Sequence, residues 1–245
     1  MKKTILFLYG VIAYLFFLVS FLYAIGFVGN FLVPKSIDAG TETTLLEAIL
    51  MNTVLLSIFA IQHSVMARPE FKKWLTKFIN PAIERSTYVL LSSLSLLLIY
   101  WQWQPMLTIL WEVENESISM IITGVFFIGW LIVFLSSFMI SHFQLFGLTQ
   151  VFDNFKERQT QNQKFKTNYL YKLVRHPIML GFIIAFWAAP VMTYGHFMFT
   201  IVTTIYIFIS VKYLEEKDLK DSIGKDYEAY QKKVPMIIPF TKIKK

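Results

Sequence analysis

Reactive chemistry in this chain has few places to sit. It has no cysteine and only four histidines in 245 residues, which excludes thiolate nucleophiles, thiolate metal sites and disulfides and leaves His, carboxylates, Tyr, Arg or a bound cofactor. The densest polar cluster runs through Tyr171, Arg175 and His176 in YLYKLVRHP, and a second holds Glu215 and Glu216 in EEKDLKDSIGKDYEAY. Between them, Ile178 to Tyr213 carries no Asp, Glu or Arg and only Lys212 as a charge. That run has room for two membrane crossings and is broken near Ala189-Pro190 and Thr193-Tyr194-Gly195-His196, where a Pro and a Gly allow reversal. An apolar hairpin must return the chain to its starting face, so His176 and Glu216 are expected to meet.

The elements that position these groups follow from composition. At 56% hydrophobic and 17% aromatic residues, with mean hydropathy +0.53, the chain reads as an all-α, polytopic integral membrane protein. Apolar runs of about 20 residues predict six spans, at about 5–28, 45–66, 86–103, 118–140, 178–194 and 197–213. The last two form a C-terminal helical hairpin, followed by a tail helix from Leu214 to about Tyr230, and residues 1–245 read as a single domain. The first span is longer than a signal-peptide core and lacks a small-residue cleavage site, so it is read as retained. Thr44-x-x-Glu47 predicts a capping box opening the second span. RPEFKKWLTKFIN, from Arg68, reads as a short basic amphipathic segment, and Asn80-Pro81 as a helix start. The segment around Gly147 and QTQNQ reads as loop or short helix.

On this map 22 of the 23 Lys and Arg residues lie on one face, with Lys35 alone on the other, so the positive-inside rule places both termini in the cytoplasm. The net charge of +7 is therefore topological, and no nucleic-acid partner is expected. His63 and His142 fall on the same face as His176. Each has a plain alternative reading as a helix-end or headgroup-level residue, Arg175 as one more topology-setting cation, and Glu215-Glu216 as part of a solvated helix face. Tyr227 and Tyr230 read as interface anchors for the tail helix. No HxxxH or ExxH spacing occurs, so no metal site is predicted.

The order RHP at 175–177, Glu215-Glu216-x-x-Leu219, Gly224-x-x-Tyr227-x-x-Tyr230 and Val234-Pro235 resembles the isoprenylcysteine carboxyl methyltransferase superfamily of membrane enzymes. QHSVMARP from Gln62, ERSTY from Glu84, His142-Phe143-x-Leu145-Phe146-Gly147-Leu148 and Phe186-Trp187-Ala188-x-Pro190-x-Met192-Thr193 resemble its bacterial methanethiol S-methyltransferase branch. Together these cover nearly the whole chain.

The resemblance implies S-adenosylmethionine (S-adenosyl-L-methionine) bound within a cofactor region at 163–239, contacted by Tyr171, Arg175, His176, Pro177, Ile178, Met179 and Glu216, with no Rossmann sheet. Arg175 and His176 beside two glutamates offer both charge signs to an amino-acid zwitterion. Many relatives carry Tyr where Met179 stands. Glu215 matches a substrate-side glutamate whose usual Arg partner is replaced here by Val211, which suits a substrate without a carboxylate. The implied reaction methylates a small thiol, methanethiol to dimethyl sulfide, at the cytosolic face of a bacterial inner membrane. Glu215, His142 and His63 are the candidate bases, since a thiolate attacks far better than a thiol. The partners implied are the thiol and the lipid bilayer, with no obligate protein partner. Two other readings stay open: a superfamily methyltransferase acting on an isoprenoid, a phospholipid or a longer thiol, and a non-catalytic membrane protein or transporter.

Overall fold

The computed structural model describes residues 1–159 and 167–242, so most of the QTQNQ segment lies outside the described residues. The chain forms two compact units, Met1–Leu107 with Ser141–Asn162, and Thr108–Ile140 with Gln163–Lys245.

In the first unit, α1 (Lys2–Gly29), α2 (Leu45–Ala67) and α4 (Glu84–Gln102) are the long apolar helices, with the short α3 (Pro69–Leu75) between α2 and α4. The predicted capping box is present: Thr44 Oγ1 accepts from the Glu47 amide while the Glu47 carboxylate accepts from the Thr44 amide. Asn80 accepts from the Ala82 amide and opens the turn into α4, and α3 realises the basic segment with Trp74 and Phe78 exposed. Buried Asn52 holds the end of α4 in a two-way clasp, donating to the Gln104 carbonyl at 2.8 Å and accepting from its amide at 2.9 Å. Past residue 140, α6 (His142–Leu145) and α7 (Leu148–Phe155) belong to this unit, and α7 packs on α1 where Gly10 faces Val151.

The second unit is built on α5 (Glu116–Ile140) against α8 (Pro177–Trp187). The crossing is backbone to backbone: a Cβ added at Gly129 would lie 2.6 Å from the Ala185 nitrogen, and one at Gly181 would lie 2.7 Å from the Gly129 carbonyl. Among the described residues five helices are long and apolar enough to cross a membrane, and Pro177–Trp187 is a shorter apolar one. Of the expected fifth span at 178–194, the helix reaches only Trp187. That helix has 11 residues, or about 16 Å at ~1.5 Å per residue, half of a ~30 Å hydrocarbon core.

The reason is Pro190, which has no N–H to offer the Phe186 carbonyl four residues earlier. That carbonyl instead accepts from His196 Nε2 at 3.1 Å and Thr200 Oγ1 at 3.0 Å, both on the next helix. The chain then forms β2 (Val191–Thr193), antiparallel to β1 (Ile109–Glu112). These two short strands stand where a loop and the end of a span were expected.

Next, α9 (Tyr194–Ser210) begins three residues earlier than the expected sixth span, capped by Thr193 on the His196 amide. It runs through a π-turn at Val211–Glu215 into α10 (Glu216–Ile223), a continuous stretch of 30 residues. At ~1.5 Å per residue that is about 45 Å, longer than a ~30 Å hydrocarbon core, and Glu215 and Glu216 lie towards its C-terminal end. The expected tail helix is broken at Gly224, whose φ of 73° and ψ of −137° suit glycine, and α11 (Lys225–Lys233) folds back.

Candidate functional site

Pro177 at the first position of α8 supplies the fixed φ a helix start needs and places His176 at its N-cap. The preceding 3-10 turn, Tyr169–Lys172, sets Tyr171 beside α5, where its hydroxyl donates to the Ser136 carbonyl at 3.4 Å. On the other side, the π-turn changes the phase of the helix, with the Glu216 amide bonding to the Val211 carbonyl five residues back. Consecutive residues of an α-helix point about 100° apart, yet here both glutamates reach one imidazole. Glu216 Oε1 lies 2.6 Å from His176 Nε2, and Glu215 Oε1 lies 3.4 Å from His176 Nδ1. The expected meeting of His176 and Glu216 is met.

Glu216 is the hub. Its carboxylate accepts from Arg175 Nε at 2.8 Å and Nη2 at 3.0 Å, from Tyr227 OH at 2.9 Å, and from Gln231 Nε2. The Arg175 and Glu216 side chains are each 8% exposed, and a charge pair that deep is tolerable only when bidentate and otherwise saturated, as this one is. Arg175 Nη1 also donates to the Gln231 and Val234 carbonyls. The segment after α11 is strapped across the site, its Pro235 and Met236 carbonyls accepting from the Arg175 and His176 amides at 2.9 and 3.0 Å. Tyr227 and Tyr230 are buried rather than interfacial, which corrects the reading of them as interface anchors: Tyr227 grips Glu216, and Tyr230 donates to the Tyr171 carbonyl. Gln231 was not anticipated either; its signal is the spacing of four from Tyr227, which puts both on one face of α11.

Burial by itself favours the neutral His176 ring. The Glu215 carboxylate and the hydrogen bonds to Glu215 and Glu216 outweigh it, and the pKa is raised from 6.5 to about 9. Burial first, then the Glu215 charge, pushes the Tyr171 phenol up, so it stays protonated. A pKa raised on folding means that the protonated ring stabilises the native state. That contribution is complete below about pH 6.5 and disappears as pH climbs through about 9. Thermal melts of the detergent-solubilised protein between pH 6 and 10 should fall by several degrees over this window. The same fall should be largely missing in His176→Gln; an equal pH slope in the two proteins would show that His176 is not the titrating group.

Pro177 is buried, and Ile178 and Met179 form the first turn of α8. Val211 is fully buried among Ile207, Ile237 and the α8 side chains Met179, Leu180 and Ile183, an apolar setting. Of the candidate bases, only Glu215 belongs to this unit; His63 and His142 belong to the first. There His63 lies 2.8 Å through Nε2 from the Tyr88 hydroxyl and 3.2 Å through Nδ1 from Ser92 Oγ. His142, buried, meets the Tyr14 hydroxyl at 2.8 Å within a wall of Phe17, Phe143 and Phe146. Burial lowers the His142 pKa. Neither tyrosine partner was legible in the sequence, because each contact crosses between helices.

The family model described as NnrU protein matches residues 51–218, more than half of the chain and inclusive of Tyr171 to Glu216. The chain belongs to the NnrU family. It is 55% identical over 238 residues to Methanethiol S-methyltransferase 1 of Bradyrhizobium diazoefficiens, covering 97% of this chain and 83% of that one. It is 47% identical over 240 residues to Methanethiol S-methyltransferase of Mycobacterium tuberculosis, covering 98% of each, and 48% identical over 240 residues to that of Crocosphaera subtropica, covering 98% and 94%. At these identities the NnrU chain and those proteins form one family. No solved structure matches it.

Proposed function

We propose that this chain is a multi-pass thiol S-methyltransferase of the bacterial inner membrane, with both termini cytoplasmic, which uses S-adenosylmethionine to convert methanethiol to dimethyl sulfide. The observation that carries this is near-full-length similarity, at 47–55% identity, to proteins named for that activity. We read 1–245 as one catalytic domain with its cofactor region at 163–239.

The residues at the start of α8 fit such a cofactor. Glu215, with its side chain 44% exposed, and the Tyr171 ring suit the cationic end. The Ile178 and Met179 amides in the first turn of α8 lack intrahelical partners and suit a carboxylate. When bound, the cofactor supplies a methyl group on a positively charged sulfur. Arg175 and Glu216 already satisfy each other, so their part is to lock His176, and through it Glu215, in place. Glu215 takes the thiol proton, so that a thiolate is presented; His142 and His63 are the alternative acceptors, separable by comparing the three single variants.

Purified protein given isotopically labelled S-adenosylmethionine and methanethiol should release labelled dimethyl sulfide into the headspace. Label appearing instead in extracted lipid or isoprenoid would move the activity to another substrate class, and no cofactor binding at all would favour a non-catalytic protein. Because Val211 replaces a cation with an apolar contact, a substrate carboxylate would be buried unpaired. Mercaptopropionate should accordingly be methylated at least about tenfold less efficiently than methanethiol at equal thiolate concentration, the equivalent of ~1.4 kcal/mol. Equal specificity constants would mean that Val211 does not line the thiol pocket.

A further inference from the structure

The stripe of α5 that meets α8 runs through Gly129 and Val133, and one turn further lies Ser136. Going the other way along α8, one turn back from Gly181 is Pro177. Helical spacing thus brings Ser136 level with the first turn of α8, where the free backbone amides are. Two observations make Ser136 unusual. It is 0% exposed, and its hydroxyl finds no hydrogen-bond partner among the described residues. Its neighbour Ser137 does what a serine within a membrane helix ordinarily does, donating back to the Phe134 carbonyl at 2.7 Å. The Ser136 backbone carbonyl meanwhile accepts from Tyr171, which ties this turn of α5 to the candidate site.

A buried hydroxyl left without a partner is costly, and such groups are few in native proteins. A partner supplied by a ligand resolves it. We propose that the Ser136 hydroxyl donates a hydrogen bond to an anionic atom of a ligand bound at the first turn of α8, completing a site made otherwise of backbone amides. The acceptor is a carboxylate oxygen of the cofactor or the sulfur of the thiolate, two sources of one chemistry. This rests on the proposed methyltransferase reading and adds a ligand-contacting residue on a helix that no sequence motif marked.

Ser136→Ala and Ser136→Cys are compared with wild type by three measurements. First, melting without ligand should leave Ser136→Ala as stable as wild type or more so, since the orphaned hydroxyl is gone; a clear loss of stability would show a structural partner and overturn the proposal. Second, calorimetry reads S-adenosylmethionine affinity independently of turnover. Third, headspace kinetics read KM for methanethiol. A loss of about tenfold or more in cofactor affinity, as for a hydrogen bond to a charged group, assigns the acceptor to the cofactor carboxylate. A similar rise in KM with cofactor affinity unchanged assigns it to the thiolate. If neither the cofactor affinity nor the KM changes, the proposal is overturned.

The Cys variant holds the chain's only cysteine. Its modification by methyl methanethiosulfonate, a reagent of methanethiol's size, should slow when the assigned ligand is present. An unchanged rate with both ligands also counts against the assignment. If wild type binds cofactor yet forms no dimethyl sulfide, the substrate reading fails while the cofactor arm still decides the role of Ser136.

Discussion

Replacing Glu216 with alanine should destabilise the protein by about 3–5 kcal/mol, the cost of stranding a buried charge whose counter-ion has been removed. The variant leaves the Arg175 guanidinium, in a side chain only 8% exposed, without its bidentate partner. It also removes the acceptor for His176 Nε2, Tyr227 and Gln231 together. Detergent-solubilised protein followed by circular dichroism in a denaturant series should show the drop, accompanied by loss of cofactor affinity as the wall of the site loosens. The mechanism has its own control. Most of the loss comes from the uncompensated charge, so Arg175→Leu combined with Glu216→Leu should be less destabilised than Glu216→Ala alone. A double variant worse than the single would show that the pair contributes net attraction rather than avoided penalty.

The second large effect lies at the α5–α8 crossing. Gly129→Leu should abolish recovery of monodisperse protein, because the first carbon of any side chain there lands 2.6 Å from the Ala185 nitrogen and 2.8 Å from the Gly181 carbonyl. Both are backbone atoms of α8 that cannot rotate out of the way, so the helices must part, and overpacking a core costs about 1–3 kcal/mol, more where backbone blocks the way as here. Close approach through small residues is how helices associate in a medium that offers no hydrophobic driving force between them. Gly124→Leu, one and a half turns earlier on the same helix, meets nothing within 4 Å and should be tolerated. Size-exclusion profiles of the two variants make the comparison; recovery of well-folded Gly129→Leu protein would sink the packing argument.

Much of this was readable from residue order alone. The long spans announced themselves because about 20 apolar residues in a row have few other uses, and the Thr44–Glu47 cap and the Asn80 helix start are local chemistry that a short window captures. The meeting of His176 with Glu216 followed from topology, since a hairpin has to come back. What stayed hidden were the features settled by partners distant in sequence. Pro190 hinted at a stop, but not that the Phe186 carbonyl it leaves open would be taken by His196 and Thr200 on the next helix. The strand pairing of 109–112 with 191–193 joins segments about eighty residues apart that no local pattern links. The π-turn has no residue signature in VKYLE, and it immediately precedes the second of the two adjacent glutamates that share a histidine. Tyr227 and Tyr230 were expected at the interface because their spacing fits an anchor as well as a clasp.

The strap from Pro235 and Met236 onto the amides of Arg175 and His176 also bears on the order in which the protein matures. The ribosome makes Arg175 and His176 well before the groups that hold them. Throughout the synthesis of α8 and α9, the cationic pair stands without Glu216, and until residues 235–236 emerge it stands without the backbone clasp. The site is therefore closed from its C-terminal side, first by Glu216 and last by the strap, and a nascent chain stalled anywhere before Val234 would be inserted yet unfinished.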